Sequence, residues 1–170
     1  MKGKERRKEI AALIMSEQEP LSGTVLSERL GVSRQIIVQD IAMLRAEGYD
    51  ILSTHQGYVI TKGPFAERVF KLRHTSEQTE EELSCIVALG GTVVNVFVWH
   101  KVYGKIEAGM NLFSERGIAQ FMDGIKSGKS KELMHITEGY HYHTVRADSE
   151  ETLDAIEKAL DAKGYIVPEI

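Results

Sequence analysis

Two histidines one residue apart, His141 and His143, have the spacing best suited to chemistry in this chain. On a β-strand, positions i and i+2 share a face and stand about 7 Å apart. Two imidazoles so placed can converge on one transition ion, or can simply be a pair of surface histidines. The acidic run Glu80-Glu81-Glu82 offers carboxylates. Glu80 and Glu81 read as a solvated face. Glu82 either faces inward or is a first-turn carboxylate that favours the helix dipole. The lone cysteine, Cys85, excludes an internal disulfide and a multi-cysteine zinc cluster, and reads as a small buried residue on a helix. Any metal must therefore rest on histidine and carboxylate. A metal-dependent hydrolase would use the same groups, but the sequence has no separate base at a suitable spacing and no phosphate loop.

The elements that must hold these residues fall into two groups. The 170 residues carry 21 Lys+Arg against 25 Asp+Glu, and 42% of them are apolar, enough for a packed core. The net charge of −4 is uneven. Residues 1–63 hold 9 cations and 8 acids, whereas residues 64–170 hold 12 and 17. Lys62-Gly63-Pro64 breaks helix and strand alike. We expect two domains, 1–63 and 64–170. No apolar run reaches the roughly 18 residues of a membrane span, so a cytoplasmic protein is expected.

In the first domain, apolar spacing predicts helices over 4–17, 23–30 and 34–47. Gly31 suits a tight turn, Ser33 an N-cap and Gly48 a stop. Strands over 49–53 and 58–61 flank a turn at residues 55–57. Three helices and a hairpin make a winged helix. The stretch "LSGTVLSERLGVSRQIIVQDIAMLRAEGYDILSTHQGYVI" resembles the biotin-repressor-like winged-helix DNA-binding domains. The resemblance implies that the third helix enters the major groove, with Ser33, Arg34, Gln35, Val38 and Gln39 toward base edges. Lys4, Arg7 and Lys8 would touch phosphate.

The second domain predicts helices over 66–73, 77–89 and 114–126, and a last one capped by Ser149. Thr75 and Gln78 have capping-box spacing. Strands are predicted at "TVVNVFVW", 105–112, "MHI" and "YHYHTVRA". The whole chain is thus α+β: a winged helix-turn-helix joined to a mixed domain of helices packed on a sheet.

"RHTSEQTEEELSCIVALGG", "VWHKVYG" and "ITEGYHYHTVRA" behind a winged helix resemble the niacin-responsive NiaR repressors, which join such a reader to a three-histidine (3H) domain. The resemblance implies a divalent transition ion (nickel, zinc or iron) on His74, Glu82, His141 and His143. It also implies nicotinate as co-repressor, approaching the metal or His100 with Tyr103 beside it, and repression of niacin uptake and NAD synthesis genes from operator DNA. Reading paired half-sites calls for a homodimer. A regulator for which the metal itself is the signal is the alternative. On one straight helix, His74 and Glu82 would stand about 12 Å apart. Either the chain turns at Thr75-Ser76, or one ligand comes from another subunit.

Overall fold

The computed structural model describes residues 2–128 and 132–168. The chain divides between Pro64 and Phe65 into two compact units. Among the described residues, no helix is long and apolar enough to cross a membrane.

The first unit comprises α1 (Gly3–Ser16), α2 (Gly23–Leu30) and α3 (Arg34–Ala46), then β1 (Asp50–Ser53) and β2 (Tyr58–Lys62), which pair antiparallel. Ser22 caps α2 through the Val25 N–H, and Ser33 caps α3 through the Ile36 N–H. Gly31 ends α2 at φ 63°, a left-handed conformation that costs an L side chain energy. Ile10, Ile14, Leu26, Ile37, Ile41 and Leu44 form the core, with Ile51 of the hairpin closing it. The hairpin is tied back by mutual backbone bonds between Leu21 and Tyr58. The result is a helix-turn-helix with a small wing.

The second unit comprises β3 (Ala66–Arg73), α4 (Thr79–Ala88), β4 (Thr92–His100), β5 (Gly104–Leu112), α5 (Glu115–Lys126), β6 (Tyr140–Ala147) and α6 (Glu150–Ala162). Its sheet is antiparallel, in the order β3-β6-β4-β5. Leu83 and Ile86 of α4, Ile118 and Met122 of α5, and Leu153, Ile156 and Leu160 of α6 pack on Phe70, Leu72, Val93 and Val145. Arg68 fastens β3 to α6 through Glu150, Asp154 and Glu157.

Two elements differ from expectation. Residues 66–73, expected as a helix, are strand β3. Phe70 and Leu72 point into the core while Glu67, Val69 and Arg73 point out, and all eight residues pair with β6. Met134–Ile136, expected as a strand, lies in a 3-10 turn over Leu133–Thr137. That turn ends in two left-handed residues, Glu138 and Gly139, which no strand tolerates. Cys85 sits on α4 as expected but is only partly buried.

Candidate metal centre

Strand β3 delivers His74 to the edge of the core, and the chain then bends. Thr75 opens a capping box: its N–H donates to the Gln78 carboxamide at 3.0 Å. A 3-10 turn (Ser76–Gln78) leads into α4, whose first turn carries Glu82 inward. The separation expected on a straight helix therefore does not arise. Strand alternation on β6 turns His141 and His143 to the same side, against α4. All four side chains are buried, and Glu82 is 0% exposed.

Glu82 is the hub. His143 Nε2 lies 2.8 Å from Glu82 Oε1, and His141 Nε2 lies 3.3 Å from Oε2. His74 Nε2 meets the same Oε2 in the closest contact of the three. Each ring is oriented from behind. The Nδ1 atoms stand 2.8 Å from the Thr75 carbonyl (His74), 2.9 Å from the Gly139 carbonyl (His141) and 2.7 Å from the Asn95 carbonyl (His143). A carbonyl only accepts, so each Nδ1 must carry the proton and donate it. Gly139 is part of this frame: at φ 89° it passes so near the His74 carbonyl that a Cβ would stand 3.0 Å from it.

That tautomer fixes the chemistry. Three Nε2 lone pairs converge on a carboxylate, and lone pairs do not bond each other. Protons or a cation must lie between them. The ligand atoms of His74, Glu82 and His141 all lie within 4.8 Å of one another, and His143 adds a fourth donor through the other carboxylate oxygen. Neutral imidazoles held by backbone carbonyls, together with one carboxylate, form a donor set suited to a divalent first-row ion. The residues fit such a group.

The metal-free cluster has its own electrostatics. Burial pushes Glu82 up, but the His143 charge and hydrogen bonds from His141, His143 and His74 outweigh it and hold the carboxyl well below its usual range. Burial pulls His74 down, but Glu82 wins and raises it. Linkage gives the signs. The raised His74 stabilises the fold below the ordinary imidazole value of about 6.5, and that contribution drains away as pH climbs through the folded value. The lowered Glu82 stabilises above the ordinary carboxylate value of about 4.3 and fails only as pH falls toward the folded value. Chelator-treated protein should therefore melt at its highest temperature near pH 5–6.5 and at a lower one at pH 8. A divalent metal should stabilise more as pH rises, because it binds the deprotonated ring. Thermal melts from pH 5 to 8.5 with and without metal check this; a metal-free Tm independent of pH would overturn it.

A partly open cavity adjoins the cluster. Thr79, Leu83, Val96, Phe121, Glu132 and Met134 help to line it, and the Thr79 hydroxyl donates to Glu132 at 2.6 Å. Thr79 was not singled out from the sequence, although its place one turn before Glu82 is a spacing that could have pointed to it. Glu132 carried no periodic signal. His100 and Tyr103 are not on this wall. They form the β4–β5 turn, where His100 Nδ1 accepts the Val102 and Tyr103 N–H groups and the two rings stack at 4.9 Å.

In the first unit, Ser33, Arg34, Gln35, Val38 and Gln39 are exposed along the start of α3, as are Lys4 and Lys8 on α1. Arg7 turns back instead, 3.0 Å from Glu47 and 3.8 Å from Asp40. Arg6, which spacing did not single out, grips the buried Asp40 at 2.6 Å.

Comparison with known proteins agrees with both halves. Residues 6–59 match an HTH domain and residues 67–169 a 3H domain. The chain is 40% identical over 166 residues to the probable transcription repressor NiaR of Thermotoga maritima, covering 97% of this chain and 95% of the relative. It is 35% identical over 170 residues to the transcription repressor NadR of Bacillus subtilis, covering 97% and 94%. These relatives are repressors and not enzymes, which ends the hydrolase reading. The chain belongs to the NiaR/NadR family of transcription repressors, which join a helix-turn-helix domain to a 3H domain.

Proposed function

We propose that this repressor binds operator DNA of niacin uptake and NAD synthesis genes as a homodimer, with nicotinate as co-repressor and a divalent transition ion held by His74, Glu82, His141 and His143. The observation that carries the proposal is the buried cluster opening onto the cavity. A bound ion supplies a positive centre there, able to take a carboxylate. Leu83, Val96, Met110 and Phe121 offer apolar wall for a flat ring. The backbone carbonyls of Thr75, Gly139 and Asn95 keep the three rings aimed. We place the effector in this cavity, away from His100 and Tyr103.

On the DNA side, Arg34, Gln35 and Gln39 of α3 are the base-reading candidates, with Ser33 and Val38 beside them and Lys4 and Lys8 on phosphate. Arg34→Ala should weaken operator binding by about 10- to 100-fold, the usual worth of one bidentate base contact. Lys8→Ala should mainly flatten the salt dependence. Calorimetry on metal-loaded protein tests the effector: nicotinate heat is expected, and its absence overturns this version. Operator binding that follows metal alone, with no organic ligand, would instead make the metal the signal.

A further inference from the structure

Strict alternation fails on β4 beside the metal centre. Val93 packs in the core and Val96 lines the cavity, yet residues three apart on a regular strand face opposite ways. An extra residue accounts for this. Between the pairs Val93–Val145 and Phe97–Tyr142, three β4 residues (Val94, Asn95 and Val96) stand against two of β6 (His143 and Thr144). The ladder between β4 and β5 breaks at the same level, where Asn111 takes a left-handed φ of 50°. A bulge leaves backbone groups outside the ladder, and here one of them is the Asn95 carbonyl. In an unbroken antiparallel ladder a β4 carbonyl accepts a β6 N–H. This one accepts His143 Nδ1–H instead, at 2.7 Å. The Thr144 N–H is taken by the Asn95 side chain, whose Oδ1 accepts it at 3.0 Å.

We propose that Asn95 is a positioning residue for the metal centre: its side-chain oxygen replaces its own carbonyl in the ladder, which frees that carbonyl to hold His143. The proposal rests on the metal reading above and adds a residue that touches no ion. The relay is short. Oδ1 holds the Thr144 N–H, the carbonyl holds Nδ1, and Nε2 of the same ring then faces Glu82 Oε1 at 2.8 Å. Without Oδ1, the part-buried Thr144 N–H needs another acceptor, and it competes with the imidazole for the carbonyl. The reach is specific. It takes an oxygen two bonds beyond Cβ, which only asparagine and aspartate supply. The outer end of the amide does a different job. Nδ2 donates to Glu107 at 3.3 Å, and Glu107 also pairs with Lys105 at 3.0 Å. A donor on one side and a carboxylate on the other fix which way the amide is turned. Contacts as exposed as the Glu107 one contribute little by themselves.

Zinc affinity of the full chain, measured by competition with a chromophoric chelator, tests the relay. Asn95→Leu keeps the shape and removes the acceptor. It should weaken zinc by about 10-fold, the lower end for losing a partner behind a ligand, because the carbonyl itself remains. In zinc-loaded protein, the slowly exchanging His143 Nδ1 proton should vanish from the NMR spectrum, which a loss of stability alone would not cause. Asn95→Thr, a good strand former whose hydroxyl is one bond too short, should show the same losses and decides the matter if Asn95→Leu does not fold. Asn95→Asp combined with Glu107→Gln exchanges amide and carboxylate but keeps an oxygen on Thr144. That double variant should bind zinc as the wild type does and retain the proton signal. Glu107→Ala, which removes only the outer contact, should also match the wild type. Wild-type zinc affinity in the Leu and Thr variants would overturn the inference and leave the metal reading intact. So would a double variant or a Glu107→Ala protein as weak as Asn95→Leu, because the effect would then lie at the sheet edge. A wild type that takes up no zinc would overturn the metal reading and the inference with it.

Discussion

Glu82→Ala is expected to strip the second unit of its metal. Glu82 is the only anion in the cluster and the one group that all three Nε2 atoms approach. Losing a partner behind a ligand typically costs 10- to 100-fold in metal affinity, so losing the shared carboxylate itself should cost more than about 100-fold. Metal content after dialysis should fall from near one ion per chain to a small fraction, and the rise in Tm on adding metal should vanish. Glu82→Gln separates charge from shape. Its carboxamide keeps an oxygen in place and offers an N–H to one imidazole, so the metal-free fold should survive while metal binding does not. Glu81→Ala is the control. That carboxylate is held at the surface by Lys163 and by the Tyr165 hydroxyl, itself pushed up to about 12 by burial and by Glu81, and its loss should leave the metal in place. Full metal retention in Glu82→Ala would move the site elsewhere.

The centre was half legible in the residues. His141 and His143 declare themselves, because the period of a strand is unambiguous and "YHYHTV" alternates cleanly. Glu82 could equally have been a dipole-favouring carboxylate, since a first-turn position reads the same whether it faces in or out. His74 had no local signal and entered through family resemblance. The obstacle was "AERVFKLR", where Val69, Phe70 and Leu72 fit one helix face as well as one strand. What decides is a non-local fact, the eight-residue pairing with β6. Once residues 66–73 are a strand, His74 lies beside the His141 end of β6 with no second subunit required. In the first unit the apolar pattern sufficed, but it did not say which N-terminal cation turns inward. A run of Lys and Arg suggests phosphate, yet Asp40 falls on the inner stripe with Ile37, Ile41 and Leu44 and needs a cation from within the chain.

That need makes Arg6→Ala the most damaging change expected in the first unit. Asp40 is 4% exposed, and Arg6 meets it with two nitrogens, Nε at 2.6 Å and an Nη at 3.3 Å. Truncating Arg6 leaves a buried carboxylate whose remaining cation, on Arg7, stands 3.8 Å away and is shared with Glu47. Breaking a buried pair from one side costs about 3–5 kcal/mol, and Arg7 should hold the loss near the lower end. A unit of about 64 residues has roughly 3–10 kcal/mol to lose, so operator binding should collapse. Metal binding should persist, because the cluster belongs to the other unit. The cause is separable from a loss of phosphate contact. Adding Asp40→Asn removes the stranded charge, so the double variant should recover more than half of the stability lost by Arg6→Ala alone. Chemical denaturation of the three proteins decides between these causes. If Arg6→Ala unfolds like the wild type yet fails to bind DNA, Arg6 is a phosphate contact and the ion pair is incidental. If the double variant is weaker than the single one, the pair stabilises by attraction, and the penalty of a stranded carboxylate is not what Arg6 relieves.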